Sequence, residues 1–251
     1  MNKTLQYIFS TFLGLAVFLF WVILHPYDLG FQEQNQLFLF TCDYLVERIS
    51  VCGGLADYLA EFITQFNYIP YLGEALMAVL FVVFQRACAL SIGRSEWYAL
   101  SFIAPVLMLV YMNDIYVMLC YLIALIIAVL LCALYRRHPG LLWAGIATML
   151  GYWLIGPAIF VFTVFAALKE RNWYSLILIA AAVLTVYASK WTYLQQYPWK
   201  TLAFGVNYYR HALVVPPMQL VIAAMTFIIP VLSDFLPKPK TSVNVAIGLM
   251  I

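Results

Sequence analysis

The sequence predicts an all-α fold, a polytopic bundle of transmembrane helices with two amphipathic surface helices in the first outer loop. Of its 251 residues, 66% are hydrophobic and only 10% are charged, whereas average globular chains are about 25% charged. Several apolar stretches reach about 18 residues, the length that indicates a spanning helix. Their hydrophobicity does not alternate, which excludes a transmembrane barrel, because barrel strands alternate over about ten residues.

Eight spans are predicted within one membrane domain that covers residues 1–251. The first span is retained as an anchor, because its apolar stretch is too long for the core of a signal peptide. The 28-residue apolar run at 141–168 is interrupted by Gly156-Pro157, so we predict two short helices with a bend there. The predicted spans lie at 5–24, 71–90, 97–112, 115–134, 141–155, 157–168, 175–188 and 217–235.

Two connections complete the predicted organisation. Only Asn113 and Asp114 separate the third span from the fourth, so a two-residue turn is expected. The last residues, NVAIGLMI, look like the beginning of a further span. We therefore expect 236–251 to be a truncated tail.

Lys and Arg predict the orientation, because loops on the cytoplasmic side carry an excess of them. Basic pairs occur at Arg86 and Arg94, at Arg136 and Arg137, and at Lys238 and Lys240. The amino terminus is then cytoplasmic and the loop 26–68 is outside. Lys169 joins the cytoplasmic side only if 141–168 is a hairpin that turns back. The segment 190–211 breaks the rule, so either its cations bind an anionic group or the spans are miscounted.

The first outer loop, 26–68, holds six of the 11 carboxylates and a single Arg. Two amphipathic helices are predicted on either side of Gly53-Gly54, and both carry the same face in the pentapeptides DYLVE and DYLAE. Asp57 and Glu61 lie four residues apart, as do Asp43 and Glu47. Two interpretations remain open. The carboxylates hydrate helices that lie on the membrane surface, or some turn inward over a cavity and act as a base or bind a divalent metal.

Two further carboxylates are isolated. Asp114 lies between the third and fourth spans, where it is either an ordinary turn residue or a member of a site at the mouth of the bundle. Glu74 lies one turn inside the second span, where a charge is costly unless it faces protein or water. It either reaches the membrane surface or lines a cavity.

The segments QEQNQLFLFTCDYL and GGLADYLAEFITQF resemble the first outer loop of a bacterial multi-pass family, a domain of unknown function. More distantly, an anchor followed by an acidic outer loop resembles the integral-membrane glycosyltransferases with the C-type fold. No short motif diagnostic of one transferase subfamily is present, and the bacterial family continues into more helices and a repeat-like soluble part.

The transferase resemblance implies a base or metal ligand in the first outer loop, a second acid in a later outer loop, and cations that hold a lipid phosphate. The catalytic candidates are Asp28, Glu33, Asp43 and Asp114, and the lipid-phosphate candidates are Lys190, Lys200 and Arg210. A divalent metal is the one cofactor that the resemblance suggests.

The expected function is transfer of a sugar from a polyprenyl-phosphate donor at the outer face of a bacterial inner membrane. The expected partners are membrane lipid and that donor, because a net charge of +2 is too small to indicate nucleic acid. The alternative is a non-enzymatic scaffold or assembly subunit, or a transporter whose helices broken at Gly156-Pro157 line a path.

Overall fold

The structure, a computed structural model, describes residues 3–34, 36, 38–170, 173–192, 199–204 and 217–237. All regular structure in these ranges is helical, which confirms the all-α prediction. The first half contains α1 (Lys3–Leu19, continued by a π-helical turn at Phe20–Leu24), α2 (Asp28–Gln34), α3 (Cys42–Ile49), α4 (Gly54–Thr64), a 3₁₀ turn (Gln65–Tyr68), α5 (Leu72–Ile92), and a 3₁₀ helix (Ser95–Phe102) that runs into α6 (Ile103–Tyr111).

The second half contains α7 (Leu119–Arg137), α8 (Leu141–Ile155), a 3₁₀ turn (Gly156–Ala158), α9 (Ile159–Glu170), α10 (Ser175–Thr192), α11 (Trp199–Phe204) and α12 (Pro217–Phe235). Five helical segments among the described residues are long and apolar enough to cross a membrane: Lys3–Leu24, Leu72–Ile92, Leu119–Arg137, Leu141–Glu170 and Pro217–Phe235. These five segments are consistent with a multi-pass membrane protein.

The connection between α6 and α7 differs from the predicted two-residue turn. Helix α7 begins at Leu119, so the connection covers residues 112–118. The amide of Val117 donates to the carbonyl of Asp114 (3.0 Å), and the amide of Asn113 donates to that of Val110 (3.4 Å). Val117, which the sequence analysis placed in the fourth span, therefore has its backbone amide hydrogen-bonded within a turn.

The predicted break at Gly156-Pro157 is present, and it reverses the chain. The hydroxyls of Thr148 and Thr163 are 2.9 Å apart, although 15 residues separate them. A straight helix would place them about 22 Å apart at 1.5 Å per residue. Helix α9 therefore folds back along α8 as a hairpin, so the apolar segment Leu141–Glu170 consists of two arms and is not one straight helix. The placement of Lys169 on the cytoplasmic side requires such a hairpin.

The hairpin depends on the backbone of Gly156, which has φ 67° and ψ −156°. Residues with a side chain rarely adopt this conformation, and forcing one into it costs about 1–3 kcal/mol. We therefore expect Gly156→Ala to lower the melting temperature of the purified protein in detergent.

Gly145→Ala in α8 is the matched control for that substitution. Its added Cβ would meet Leu178 Cδ2 at 4.0 Å, an ordinary contact, and Ala favours a helix over Gly by about 1 kcal/mol. The control is expected to melt at the same or a higher temperature. Equal melting of Gly156→Ala and the unmodified protein would contradict the strain argument.

Contacts between distant segments divide the bundle into two ends. At one end, Asp234 of α12 binds Arg136 (2.8 Å) and Lys169 (2.6 Å), and Arg94 donates to the carbonyl of Leu236 (3.0 Å). We call this the basic end. The opposite end carries α2, α3, α4 and the connection 112–118, and we call it the acidic end.

The core is centred on α7, which packs against α4, α5 and α9. Thirteen of the 19 residues of α7 are buried. Helix α4 therefore reaches into the bundle and does not lie on its surface alone. Its loop also contacts α8, because the amide of Gly53 donates to the carbonyl of Trp153 (2.7 Å). This insertion positions the polar residues of the acidic end.

Candidate functional site at the acidic end

Helix α2 packs directly against the connection 112–118. Gln32 Nε2 donates to the carbonyl of Val117 (3.2 Å), and the rings of Phe31 and Tyr116 meet edge to face with centroids 6.4 Å apart. Helix α2 carries two carboxylates of the first loop. It therefore brings these two residues to the segment that contains Asp114.

The two carboxylates of α2 are Asp28 and Glu33, and both are half-buried. Asp28 opens the helix, and its Oδ2 lies 2.6 Å from Nδ1 of His25. The imidazole ring lies 4.7 Å, centroid to centroid, from the ring of Phe20. Phe20 begins the π-helical turn that continues α1. The first span therefore orients His25, and His25 in turn orients the carboxylate of Asp28.

Asp114 is exposed, and its Oδ1 accepts a hydrogen bond from the amide of Tyr116 (3.0 Å). It therefore has the turn role that one interpretation predicted, in a segment that contacts α2 through Tyr116 and Val117. Asp43 is also exposed, in the first turn of α3. Thr41 caps that turn by accepting from the amide of Tyr44 (3.2 Å).

The carboxylates that turn inward are Asp57 and Glu61 of α4, which are only 4% and 5% exposed. The interpretation that they hydrate a surface helix is wrong for these two residues. Glu61 Oε1 binds Nη2 of Arg48 (2.8 Å), and Glu61 Oε2 accepts the hydroxyl of Tyr44 (2.5 Å). Burial of Glu61 is tolerated because α3 supplies both the countercharge and the donor.

This buried cluster joins α3 to α4 and was not among the predicted site residues. Arg48 also donates to the hydroxyl of Tyr44 through Nε (3.0 Å) and Nη2 (2.8 Å). Burial and the hydrogen bond to Glu61 raise the pKa of Tyr44. Both oxygens of Glu61 are engaged, so the cluster fastens α3 to α4. The available signal was Arg48, the single cation of the loop, one turn from Tyr44.

A groove of about 610 Å³ lies beside α2, between the end of α1 and the start of α5. Four aromatic and three polar side chains are among its lining residues. These residues are Tyr27, Phe31, Tyr68 and Tyr71, with Gln34, Asn67 and Glu74. Tyr71 has a left-handed backbone (φ 64°), a conformation that concentrates at ligand-binding sites. Glu74 thus lines a cavity, one of its two predicted alternatives.

A family model described as a family of unknown function, DUF6057, matches residues 1–250. The chain belongs to the DUF6057 family. None of the curated proteins and none of the solved structures compared with the chain matches it.

The three lipid-phosphate candidates of the DUF6057 protein lie partly outside the described residues. Lys190 is half-buried near the end of α10, and its Nζ lies 5.9 Å from the centre of the Trp199 ring. Lys200 belongs to α11, but its side chain is outside the described part of the structure, as is the whole of Arg210. Tyr152 anchors α11 by donating to the carbonyl of Leu202 (2.9 Å).

An apolar slot of about 340 Å³ adjoins α11 and the hairpin break. Its lining comes from α7, α9, α11 and α12 and includes Pro157, Phe160, Ala203, Ala223 and Phe227. Ala203 follows Lys200 by three residues in the same helix. The slot therefore borders α11, the helix that carries Lys200, a predicted phosphate ligand.

The described residues do not supply a metal centre of three or more His, Cys, Asp or Glu side chains. They do contain a buried acceptor that sequence analysis missed. Gln32 Oε1 is buried and has no hydrogen-bond partner among the described residues. A buried polar atom without a partner is costly, so Gln32 marks the contact of α2 with the connection as a place where a further donor fits.

Proposed function

We propose that the DUF6057 protein transfers a sugar from a polyprenyl-phosphate donor to an acceptor hydroxyl at its acidic end. The contact of α2 with the connection 112–118 carries this proposal. It puts the helix of Asp28 and Glu33 against the segment of Asp114. The resemblance to C-type glycosyltransferases requires acids from these two loops in one site.

In the proposed reaction, Asp28 is the base, because His25 holds its carboxylate in one orientation (2.6 Å). Asp28 accepts the proton of the acceptor hydroxyl. The hydroxyl oxygen forms the new bond to the anomeric carbon, and the bond from that carbon to the phosphate oxygen breaks. Polyprenyl phosphate leaves with the bonding electrons. Asp114 and Glu33 orient the hydroxyls of donor and acceptor by accepting their hydrogen bonds.

The groove beside α2 suits a sugar. Aromatic faces pack on the apolar face of a sugar ring, while amide and carboxylate groups orient its hydroxyls. Tyr68, Asn67 and Glu74 offer this combination within about 610 Å³. Phe31 lines the groove and also contacts Tyr116, so the groove adjoins the segment that carries Asp114.

The apolar slot suits the prenyl chain of the donor. Its lining of alanine, proline and phenylalanine has few polar groups to desolvate. Lys200 belongs to α11, which borders the slot, and Lys190 lies near the end of the preceding helix, α10. The ammonium group of a lysine binds phosphate as a point charge. The proposed donor therefore lies with its chain in the slot and its phosphate toward α11.

The proposed orientation places the acidic end outside and the basic end in the cytoplasm of a bacterial inner membrane. Arg86, Arg94, Arg136, Arg137 and Lys169 occur at the basic end, and the positive-inside rule assigns such an end to the cytoplasm. The amino terminus, at the start of α1, then lies in the cytoplasm.

Reconstitution of the full chain into liposomes tests the function. The liposomes would carry radiolabelled polyprenyl-phosphate hexoses and pentoses together with bacterial lipid and glycan acceptors. We expect protein-dependent release of polyprenyl phosphate with at least one donor. Protein-free and heat-denatured liposomes serve as controls. Failure of every donor to bind or react would overturn the proposal in favour of the scaffold.

A further inference from the structure

A cavity of about 600 Å³ at the basic end is separate from the proposed transferase site. Four arginines line it, from α5, the following loop and the end of α7, and none of the described residues that line it is acidic. The four are Arg86, Arg94, Arg136 and Arg137. We call this site the arginine cavity.

The charges of the arginine cavity are only partly neutralised. Arg86 donates to the hydroxyl of Tyr98 (3.2 Å) and lies over the ring of Tyr7 (4.5 Å). Arg94 donates to the carbonyls of Ser233 and Leu236. All four of these partners are uncharged, so they fix the guanidinium groups in place and leave the positive charge available.

Arg136 has the one carboxylate partner seen for these arginines among the described residues. Asp234 binds it through two oxygens (2.8 and 3.3 Å), but Asp234 also binds Lys169 (2.6 Å). The Nε of Arg136 is buried and has no hydrogen-bond partner within the described residues. Arg137 is exposed at the rim. The cavity therefore retains an excess of positive charge and an unused donor.

The neighbouring face of α5 is apolar and exposed. Val79, Val83 and Leu90 are 57%, 40% and 47% exposed, and they recur with Arg86 at spacings of four, three and four residues. Residues at such spacings share one helix face. An apolar stripe on a membrane helix therefore leads into the arginine cavity, and Leu90 lines both.

We propose that the arginine cavity binds the phosphate of an anionic phospholipid whose acyl chains lie along this stripe. Arginine matches phosphate through paired donors, and basic pockets between membrane helices on the cytoplasmic side bind such headgroups. The stripe favours a lipid over free phosphate, because acyl chains cover Val79, Val83 and Leu90. This lipid is structural and is distinct from the donor at the acidic end.

Native mass spectrometry of the full-length protein, titrated with phosphatidylglycerol, tests the proposal. We expect saturable binding that Arg137→Gln and Arg86→Gln each weaken about tenfold, since each removes a charge-assisted contact. Lys3→Gln removes one charge from an exposed residue outside the cavity and is expected to bind as the unmodified protein does. Arg137 is exposed, so its replacement leaves the fold intact.

Three results would overturn the lipid assignment. The first is equal binding by Arg137→Gln and Lys3→Gln. The second is equal affinity for phosphatidylcholine, whose choline group neutralises the phosphate. The third is displacement of phosphatidylglycerol by inorganic phosphate at comparable concentration, which would identify the ligand as free phosphate.

Discussion

Asp114→Asn is expected to reduce sugar transfer by about 100-fold, because in the proposed reaction Asp114 orients the hydroxyls of donor and acceptor, and misplaced reactants lose about this factor in rate. The fold should survive. Within the described ranges the carboxylate makes one hydrogen bond, in which Oδ1 accepts from the amide of Tyr116 (3.0 Å), and the side-chain oxygen of Asn accepts the same bond. The substitution therefore removes the charge and keeps the turn.

Initial rates of polyprenyl-phosphate release in liposomes, with the melting temperature of each variant, would measure this effect. Asp28→Asn should lose a similar factor. Glu47→Gln is the matched control, because Glu47 is also an exposed carboxylate of the first loop and lies outside the proposed site. Full activity of Asp114→Asn would remove Asp114 from the reaction and leave the resemblance to C-type transferases without its second acid.

Glu61→Ala is expected to destabilise the protein by about 3–5 kcal/mol, the range for removing one partner of a buried ion pair. The side chains of Arg48 and Glu61 are only 14% and 6% exposed. The substitution leaves the guanidinium of Arg48 buried without this carboxylate, and the hydroxyl of Tyr44 loses its acceptor. Denaturant unfolding in detergent micelles, followed by tryptophan fluorescence, would measure the change.

Glu47→Ala provides the control for Glu61→Ala, because it removes an exposed carboxylate from the neighbouring helix. Surface substitutions of this kind change stability by less than about 0.5 kcal/mol. Combining Glu61→Leu with Arg48→Met should recover part of the loss, because it removes both charges of the pair. If Glu61→Ala unfolds at the same denaturant concentration as Glu47→Ala, the cluster does not hold α3 on α4.

The same cluster predicts a dependence on alkaline pH. Burial and the hydrogen bond to Glu61 raise the pKa of Tyr44 above its ordinary value of 10.0. A raised pKa means that the folded state holds the proton more tightly than the unfolded state. The contribution of Tyr44 is therefore complete below pH 10 and declines as the pH rises from 10 through the folded pKa. Tyr44→Phe should remove this decline from the unfolding free energy.

Much of the fold could be predicted because lipid imposes a simple rule. Backbone groups inside a membrane must bond within their own segment, so a long apolar run without alternation predicts a helix. The predicted helix at 217–235 coincides with α12. The break at Gly156-Pro157 was predictable for a similar reason, since proline lacks the amide that a continuous helix uses. A turn at Asn113 and Asp114 was predicted, but its extension to residues 112–118 was missed because residues 115–118 are as apolar as a span.

The sequence by itself determined most of the long apolar helices, the break at Gly156-Pro157, and which loops collect acid or base, because these follow from local composition. Only the tertiary structure decided that the break reverses the chain, because the reversal is seen in the contact of Thr148 with Thr163. The sequence did not decide whether the carboxylate face of α4 points to water or into the bundle, since a stripe of carboxylates is as compatible with water as with a buried countercharge. Only the tertiary structure decided that Glu61 turns inward, because Arg48 and Tyr44 come from another helix. The meeting of α2 with the segment of Asp114 depends likewise on packing between residues more than 80 positions apart.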